Sequence, residues 1–404
     1  MEDLSELDLP HLPINAPEFA ADPYPYLAAA RTKHAWLATA DAGHVVHEYT
    51  AMRELFGQDD KMRVFNDGVV EHMGAVGTSW GRWMTRQIIA MPPAQHRRVR
   101  DAFASSFTPR FANDLRPHMR ATITRLLDEW APKGGFDFDE FASWFPISVM
   151  FDMVGAPPNR IGEIKADLET LGLAFSLNKT LTPAVISAFQ RVEALFEEVI
   201  AERRSHRHAE GAPDLLDLMI EASDAGGITA QELSDLLLAF FIAAYDTTKS
   251  VMTTIMRLLI ERPDIYRRCA DDLDLCRRTV EETLRYMGPS TALRLTTETI
   301  TYRDVLIPKG TMLFFPYSVA GRDPGAFPDG ETFDPDRPTD HRHIGFGLGQ
   351  HMCIGQYLAR AELQEALHHI AQRIREPKVA GPYGWRPFPG IWGLTGLPIT
   401  FTPA

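Results

Sequence analysis

The sequence predicts a mainly α-helical protein with small β-sheets near both ends of the chain. Between about residues 50 and 289, apolar residues recur at three- and four-residue spacing, as on one face of a helix. Short runs rich in β-branched and aromatic residues occur near residues 30–50 and 291–315, and these predict strands. The chain has no internal repeat, low-complexity tract or Gly/Ser linker, so we expect residues 1–404 to form a single domain.

Composition and charge place the chain among ordinary globular proteins. Its 404 residues are 45% hydrophobic and 24% charged, which excludes collagen-like and wholly disordered proteins. The net charge of −13 argues against nonspecific binding to nucleic acid or to an anionic membrane. Three cysteines cannot build a disulfide framework, and we expect Cys269 and Cys276 to be buried structural thiols. With no signal-peptide pattern and no apolar run of membrane-spanning length, the sequence predicts a cytoplasmic protein. We also expect it to be a monomer.

The first elements in chain order are a hairpin and a series of helices. Residues 35–39 and 44–49 read as short strands on either side of the turn at 41–43. Residues 115–131 and 183–204 carry apolar residues at helical spacing. The amino-terminal strands are therefore expected to precede a long helical region.

One later helix stands out by its length. Thr229-Ala-Gln-Glu232 matches the capping-box pattern that begins a helix, and nothing interrupts the helical pattern before Pro263. About 32 residues at about 1.5 Å each give a helix of roughly 48 Å, whose middle must be buried in a protein of this size. Strands are expected over 291–315, and a last long helix over 354–373.

The most informative segment runs from Phe346 to Gly355, with the sequence Phe-Gly-Leu-Gly-Gln-His-Met-Cys-Ile-Gly. Its three glycines let the backbone pass close to a flat or bulky group. Cys353 lies at the expected start of a helix, where free backbone N–H groups and the helix dipole favour a thiolate. Structural zinc needs four protein ligands and only His351 is near, whereas haem iron needs a single axial thiolate.

This segment is similar to the haem-binding loop of the cytochromes P450, Phe-Gly-x-Gly-x-His-x-Cys-x-Gly. All six fixed positions match, namely Phe346, Gly347, Gly349, His351, Cys353 and Gly355. Six literal matches would arise by chance on the order of once in 10⁵ sequences. The resemblance implies the P450 fold with its long central helix over the haem, and haem b as cofactor with Cys353 as its iron ligand.

Three further residues resemble the structural cluster of that family. Glu282-Thr-Leu-Arg285 matches its Glu-x-x-Arg, whose spacing places acid and guanidinium on one face of a helix. Arg337, in Phe333-Asp-Pro-Asp-Arg337, matches the arginine that completes the cluster, and Gly321 stands where the family commonly has asparagine. The resemblance implies an architectural role in holding the cysteine loop. Taken alone, the tetrapeptide fits a surface ion pair equally well.

Four cations match the residues that bind the haem propionates in this family. His96 and Arg100 have the i,i+4 spacing that directs two donors the same way along a helix. Arg294 matches the arginine on the strand after Glu-x-x-Arg, and His351 would be the fourth partner. Met91 replaces an aspartate that commonly precedes the two prolines before His96. For each cation taken singly, the alternative is a solvated surface residue.

The long helix carries the remaining motif, Ala243-Ala-Tyr-Asp246-Thr247. It resembles the Ala/Gly-Gly-x-Asp/Glu-Thr signature on the distal haem face. The resemblance implies that Ala243 borders the haem and that Asp246 and Thr247 are catalytic. Ala244 stands where glycine is usual and is expected to narrow the oxygen groove. The structural alternative is a helix turn that tolerates an acid and a threonine.

The implied activity is insertion of one oxygen atom from dioxygen into a C–H bond of a hydrophobic small molecule. No cysteine cluster for an iron–sulfur centre is present, so electrons are expected from a separate ferredoxin or flavodoxin with an NAD(P)H-dependent reductase. A basic patch is expected to attract an acidic ferredoxin; its residues are Arg97, Arg98, Arg110, Arg342 and Arg360. Three alternatives remain: a haem-binding sensor or storage module, a peroxide-dependent peroxygenase on the same fold, and a thiol hydrolase using Cys353 and His351.

The expected substrate pocket is apolar. Its candidate residues are Val76, Trp80, Trp83, Met84, Ile88, residues 171–177, Ala239, Ile242, Ala243, residues 290–293 with Ala292 and Leu293, Ile391 and Trp392. Because the set carries few charges, a terpenoid, an aromatic or a fatty compound would each fit it. The alternative is that many of these side chains simply belong to the core.

Overall fold

Helices dominate the structure, a computed structural model that describes residues 2–206, 213–338 and 342–404. In these three ranges, the α-helices are α1 (Pro17–Ala21), α2 (Tyr24–Lys33), α3 (Tyr49–Phe56), α4 (Asn66–His72), α5 (Ser79–Arg86), α6 (Pro93–Asp101), α7 (Pro109–Trp130), α8 (Phe138–Met153), α9 (Ile161–Gly172), α10 (Thr182–Ser205), α11 (Leu215–Asp224), α12 (Ala230–Ile260), α13 (Pro263–Cys269), α14 (Leu273–Tyr286), α15 (Tyr317–Ala320) and α16 (Gln356–Arg373).

The strands are short. Strands occur in both of the β-rich runs that predict them, and further strands occur elsewhere in the chain. In the described ranges they are β1 (Glu2–Asp3), β2 (Leu37–Ala40), β3 (Gly43–Val46), β4 (Met62–Arg63), β5 (Gly135–Asp137), β6 (Thr291–Thr296), β7 (Ile300–Tyr302), β8 (Val305–Ile307), β9 (Met312–Pro316), β10 (Ile374–Val379), β11 (Gly384–Trp385), β12 (Leu394–Thr395) and β13 (Pro398–Pro403). Strands β4 and β5 lie inside the region in which we expected nearly every segment to be helical. Each is two or three residues long, too short for alternation to register in the sequence.

Two compact units divide the chain between them, each assembled from three separate segments. The first comprises Met1–Phe65, Arg277–Cys353 and Tyr383–Thr395, and the second comprises Asn66–Cys276, Ile354–Pro382 and Gly396–Ala404. We call them unit 1 and unit 2. Unit 1 contains residues 346–353, which we call the cysteine loop, and unit 2 contains α12.

Unit 1 is built on a five-stranded sheet with the order β2-β3-β9-β6-β4. The expected hairpin is confirmed as the antiparallel pair β2 and β3, and β3 then pairs with β9 in parallel. A Cβ atom at Gly43 would lie 2.6 Å from the carbonyl oxygen of Met312, so only glycine allows β3 to begin this close to β9.

Both faces of this sheet are covered by apolar side chains. Val46 and Phe315 belong to one buried cluster, whereas their strand neighbours Val45 and Phe314 belong to a second. Successive side chains of a strand point to opposite faces, so the two clusters lie on opposite sides of the sheet. The middle strand β9 is apolar along its whole length, which explains why it does not show a polar–apolar alternation.

Unit 2 is organised around α12. The expected capping box is confirmed: the Thr229 hydroxyl accepts from Glu232 N–H, and the Glu232 carboxylate accepts from Thr229 N–H. Helices α8, α9, α10 and α16 all contact α12, which explains why most of its residues are buried. The thiols Cys269 and Cys276 are buried as expected. Over the part of the chain that the structure describes, no helix has the length and hydrophobicity needed to cross a bilayer.

Candidate active site

In unit 1, the cysteine loop turns tightly back on itself. Cys353 N–H donates to the carbonyl oxygen of Phe346 at 2.9 Å, which closes the loop across seven residues. Gly347 and Gly349 have φ values of +73° and +67°, a left-handed conformation that other residues rarely adopt. Helix α16 begins only at Gln356, three residues after the cysteine rather than at it. These constraints leave the Cys353 side chain exposed.

The donor set at Cys353 fits a haem iron better than a multi-ligand metal centre. Within the described residues, no group of three or more His, Cys, Asp or Glu side chains could hold a metal ion. Structural zinc requires such a group, whereas haem iron needs one axial thiolate from the protein. Cys353 is an accessible thiol, in contrast to the buried Cys269 and Cys276.

Glu282 and Arg285 form a buried ion pair on α14 in unit 1. The pair is bidentate: Arg285 Nε and Nη2 donate to the two carboxylate oxygens, each at 2.7 Å. The exposed fractions of the two side chains are only 5% and 4%. This geometry excludes the surface ion pair that the tetrapeptide alone would have allowed.

Arg285 and Arg337 also donate hydrogen bonds to backbone carbonyl oxygens of the irregular segment after α15. Arg285 donates to the carbonyl oxygens of Gly321, of Gly330 at 2.9 Å and of Thr332 at 3.0 Å. Arg337 Nε lies 3.7 Å from Glu282 Oε1, and its Nη2 donates to Thr332 O at 2.8 Å. The three side chains thus tie a stretch without regular structure to a helix, as an architectural cluster would.

The close approach of this segment to α14 explains why residue 321 is a glycine. A Cβ atom at residue 321 would lie 2.0 Å from the carbonyl oxygen of Arg285, far inside van der Waals contact. The backbone at residue 321 therefore approaches α14 closely enough to exclude any larger side chain. The glycine is required here by packing.

Arg294 lies on β6 in unit 1 and is buried. Its guanidinium carbon lies 5.0 Å from the centroid of the Phe56 ring, within the range of a cation–π interaction. Its Nη1 atom also donates to the carbonyl oxygen of Leu293 at 3.0 Å. These two contacts fix the position of the guanidinium group beside β6.

In unit 2, His96 is buried on α6 and Arg100 is partly exposed one turn later. Two other residues of the same helix fix its position: Gln95 Nε2 donates to Glu232 Oε1 at 2.9 Å, and Arg98 binds the same oxygen. These bonds lower the pKa of Glu232 to about 2, against the opposing effect of its burial. Arg98, which we expected in a free basic patch, is therefore engaged by an internal acid.

Helix α12 is buried along most of its length but has one uncovered strip. Ala239 is partly exposed, Ala243 is exposed and Thr247 is partly exposed, at successive i,i+4 positions. The Thr247 hydroxyl donates to the carbonyl oxygen of Ala243 at 2.7 Å. Asp246, one residue earlier, is buried. The acid and the hydroxyl of the motif thus occupy different faces of the helix.

Two of the candidate substrate contacts, Trp80 and Trp83, lie buried on α5. Sequence reasoning missed what holds this helix. Arg86 Nε and Nη2 donate to the Asp235 carboxylate at 2.7 and 2.9 Å, and Trp83 Nε1 donates to the Asp235 carbonyl oxygen at 3.2 Å. The only available signal was an aspartate inside a helix expected to be buried, where an unpaired charge is costly.

A second missed residue is Lys249, a buried cation three residues after Asp246. Its presence in the middle of an apolar helix is the sequence signal that could have found it, because buried lysines are rare unless paired. Its ammonium group lies 3.0 Å from Asp139 Oδ2 on α8 and 3.3 Å from Glu169 Oε1 on α9.

Residues 290–293, Ile391 and Trp392, which are also candidate contacts, lie in unit 1, where two segments meet. Ser290 forms an isolated bridge with Ile391, and Trp392 N–H donates to Pro289 O at 2.7 Å. Ala292 and Leu293 are partly exposed on β6, whereas Trp392 is buried in an apolar cluster with Phe388.

Comparison with known proteins gives consistent results. Residues 165–375 match the family model of cytochrome P450. Luteothin monooxygenase of Streptomyces thioluteus is 31% identical over 402 residues, covering 98% of this chain and 97% of that protein. Mycinamicin IV hydroxylase/epoxidase of Micromonospora griseorubida is 32% identical over 297 residues, covering 71% and 72%.

The fold agrees with these relatives. The solved structure of CxnD, a cytochrome P450 for C–S bond formation in chuangxinmycin biosynthesis, superposes with a TM-score of 0.86 at 25% identity, covering 99% of each chain. The family model spans more than half of the chain, and the first relative is similar along almost its whole length. The chain therefore belongs to the cytochrome P450 family, as a bacterial-type monooxygenase that takes haem b as its cofactor.

Proposed function

We propose that this P450 inserts one oxygen atom from dioxygen into a hydrophobic small molecule, with electrons from a separate ferredoxin or flavodoxin and its NAD(P)H-dependent reductase. When bound, haem supplies the activation of dioxygen that no side chain can provide. Cys353 is the proposed iron ligand, and Phe346, Gly347 and Gly355 would line the porphyrin. The proposed propionate partners are His96, Arg100, Arg294 and His351.

The uncovered strip on α12 is the observation that carries this proposal. Neighbouring helices cover most of α12 but leave Ala243 and Thr247 accessible, with small side chains that leave room for a diatomic molecule. Elsewhere on α12 most of the apolar side chains are buried. The accessible methyl group of Ala243 and hydroxyl of Thr247 therefore form a surface suited to a ligand.

Thr247 and Asp246 then have separable roles. The Thr247 hydroxyl donates its hydrogen bond to Ala243 O. Its oxygen lone pairs therefore remain to act as a hydrogen-bond acceptor on the exposed side of α12. Asp246 is the proposed acid that passes protons inward. General acid assistance of this kind is commonly worth about 10²–10⁴ in rate.

We infer an apolar substrate of moderate size. Within unit 2 the proposed contacts are Trp80, Trp83, Ala239, Ile242 and Ala243, which carry no charge. Within unit 1 they are Ala292, Leu293, Ile391 and Trp392. A panel of terpenoid, aromatic and fatty compounds, scored by the Soret shift that follows binding, would identify the class.

The electron donor is proposed to be acidic. Arg97 and Arg110 are exposed in unit 2, and Arg342 is exposed in unit 1. Exposed charges separated by more than about 8 Å are screened at physiological salt. Reduction by a ferredoxin should therefore slow as salt rises, and a rate independent of ionic strength would remove this assignment.

The test of the catalytic pair compares Thr247→Ala with Thr248→Ala, a neighbouring threonine that is buried. NAD(P)H consumption, hydrogen peroxide and product are measured together on one substrate. Thr247→Ala should keep consuming NAD(P)H while releasing peroxide in place of product, because it loses the acceptor that directs protonation. Thr248→Ala should keep the wild-type ratio. A wild-type ratio in Thr247→Ala would contradict the assignment.

The test of the iron ligand uses Cys353→His. Reduced wild-type protein under carbon monoxide should absorb where thiolate-bound haem does, and the variant should absorb at the imidazole position. An unchanged band in the variant would remove Cys353 from the iron.

A further inference from the structure

The uncovered strip of α12 stops abruptly toward the amino terminus of the helix. Its accessible residues, Ala239, Ala243 and Thr247, follow one another at i,i+4 positions. Asp235 occupies the preceding position of this series, and both Asp235 and residues 236–238 are buried. With a rise of about 1.5 Å per residue, Asp235 lies about 12 Å along the helix axis from Ala243. The strip therefore ends one turn beyond Ala239.

The side chain that covers α12 at this end is Trp83 on α5. Its Nε1 atom donates to the carbonyl oxygen of Asp235 at 3.2 Å, so the indole ring lies directly against the helix backbone. The centroid of the ring lies 5.2 Å from that of Phe189 on α10. Trp83 is only 2% exposed, and Phe189 is fully buried. Trp83 thus fills the space beside Asp235, where the accessible strip stops.

An ion pair holds Trp83 in this place. Arg86, three residues later on α5, donates from Nε and Nη2 to the two carboxylate oxygens of Asp235, at 2.7 and 2.9 Å. Gln231, one turn earlier on α12, donates to Asp235 Oδ1 at 3.1 Å. Asp235 therefore binds α5 twice, through its carboxylate to Arg86 and through its carbonyl oxygen to Trp83. Two attachments to one residue fix the orientation of the indole ring.

The form of this ion pair suits a positioning role. The Asp235 side chain is 5% exposed and that of Arg86 is 36% exposed, so the pair reaches from a buried turn of α12 toward the surface. Two parallel hydrogen bonds between a guanidinium and a carboxylate constrain direction as well as distance. A lysine would keep the charge but could not reproduce this planar geometry.

We propose that Trp83 is the end wall of the substrate site and limits how far a substrate extends along α12, with Arg86 and Asp235 as the residues that position it. The inference rests on the proposed function, in which Ala243 borders the haem. The space along the strip from Ala243 to the wall is then about 12 Å. A compact terpenoid or aromatic ring system fits this length, whereas an extended fatty chain that runs along α12 meets the indole ring.

The test measures binding to the haem-loaded protein, with 1-alkylimidazoles of increasing chain length as probes. The imidazole nitrogen binds the iron and shifts the Soret band, so the Kd of each probe follows from a spectral titration. In the wild type, each added methylene group should lower the Kd about fourfold while the chain is being buried. The decrease should stop at the chain length that reaches Trp83, and we call this length the chain limit.

Three substitutions should move the chain limit in opposite directions. Trp83→Ala removes the wall, so for a chain two methylene groups beyond the wild-type limit the Kd should be about tenfold lower than in the wild type. Trp83→Phe keeps a buried ring, which protects against misfolding, and should move the limit in the same direction by less. Ala239→Leu fills the strip one turn before the wall and should move the limit to shorter chains.

The positioning role is tested by Asp235→Asn and Arg86→Lys. Asp235→Asn keeps the carbonyl oxygen and nearly the same volume but removes the charge that binds Arg86. Trp83 then gives way, and a chain just beyond the wild-type limit should bind about fourfold more tightly, as if one more methylene group were buried. Arg86→Lys should behave in the same way, because it lacks the paired hydrogen bonds. A general loss of packing would instead weaken the binding of short and long chains alike and would contradict the positioning role.

Asp167→Asn is the matched control. Asp167 is a buried carboxylate on α9 that binds Nε and Nη2 of Arg191 on α10, at 2.8 and 2.5 Å, and it belongs to neither α5 nor α12. Its substitution should leave the chain limit unchanged, and a shift equal to that in Asp235→Asn would remove the positioning role. A chain limit that stays in place in Trp83→Ala would overturn the end wall. If the wild-type Kd does not depend on chain length at all, the strip does not adjoin the haem and the proposed role of Ala243 fails first.

Discussion

Two groups of buried charges in this chain use the same residue types and differ in where their hydrogen bonds lead. In unit 1, Glu282 and Arg285 bind each other, and the remaining guanidinium donors end on backbone carbonyls. In unit 2, Lys249 binds the partly exposed Glu169, Glu169 also binds Lys165, and Lys165 binds Glu140, whose side chain is 46% exposed. The first group is closed and the second is open.

The difference separates a group that supports the backbone from one that connects a buried helix to the surface. A closed group, in which donors meet fixed carbonyls, can hold an irregular segment in place. An open group ends at a side chain in contact with solvent, and the one here binds no backbone carbonyl among the described residues. Burial and charge alone do not distinguish the two groups, because both contain paired, buried ions. The groups differ in the partners at which their hydrogen bonds end.

The largest expected effect comes from breaking the closed group. Glu282→Gln leaves the Arg285 guanidinium buried without its counter-ion, which should lower the free energy of unfolding by about 3–5 kcal/mol. Glu331→Gln is the control, since Glu331 pairs with Arg322 but is largely exposed. Chemical unfolding of the haem-loaded protein measures both. A loss below about 1 kcal/mol in Glu282→Gln would contradict a supporting role.

A second prediction concerns a buried carboxyl that belongs to neither group. Glu362 on α16 is buried, and its Oε1 has no hydrogen-bond partner among the described residues. Burial raises the pKa of Glu362 to about 8, so the folded protein keeps it protonated at neutral pH. Because the unfolded chain ionises this carboxyl near pH 4.5, stability should fall as pH rises from there through about 8.

Glu362→Gln removes that titration. Relative to wild type, its free energy of unfolding at about pH 9 should be higher than at about pH 5, by on the order of 3 kcal/mol. Unfolding measured at both values for both proteins isolates the pH-dependent part from any packing change. A difference that is the same at both values would show that Glu362 is paired in solution.

A smaller effect is expected where the closed group touches the backbone. Gly321→Ala places a methyl group against the carbonyl oxygen of Arg285 and should cost about 2 kcal/mol, as overpacking does. Gly325→Ala is matched, because its Cβ would meet only Asp323 Oδ1 at 3.4 Å. Equal stability of the two variants would mean that the segment moves away freely.

The smallest effect on the free energy of unfolding is expected for an exposed ion pair. Glu198 binds Arg160 at the surface and is 64% exposed. Glu198→Gln should change the free energy of unfolding by less than about 1 kcal/mol, because solvent screens exposed pairs. A larger change would mean that distance to solvent is not what separates these ion pairs.

Residues in a contiguous motif were predictable, because their spacing is itself the signal. The capping box of Thr229 and Glu232 and the pairing of Glu282 with Arg285 follow from i,i+3 spacing on a helix. The carbonyls that Arg285 binds lie 36 to 47 residues away in a segment without periodicity, so nothing in the sequence indicates them.

Long-range polar contacts were not predictable, because no spacing in the sequence indicates which residues meet. Lys249 meets Asp139 and Glu169 from helices 110 and 80 residues earlier in the chain. The sequence shows only that a lysine occurs where a buried helix is expected. Which acids reach it depends on how α8 and α9 pack against α12, which periodicity does not specify.

The carboxylate of Glu232 has a consequence for local unfolding. One of its oxygens accepts from the first turn of α12, and the other accepts from Gln95 and Arg98 on α6, more than 130 residues away in sequence. Loss of the α12 turn would remove the acceptor that α6 depends on, and departure of α6 would expose the α12 turn to water. The amide hydrogens of these two distant stretches should therefore exchange with solvent together, as a single cooperative unit.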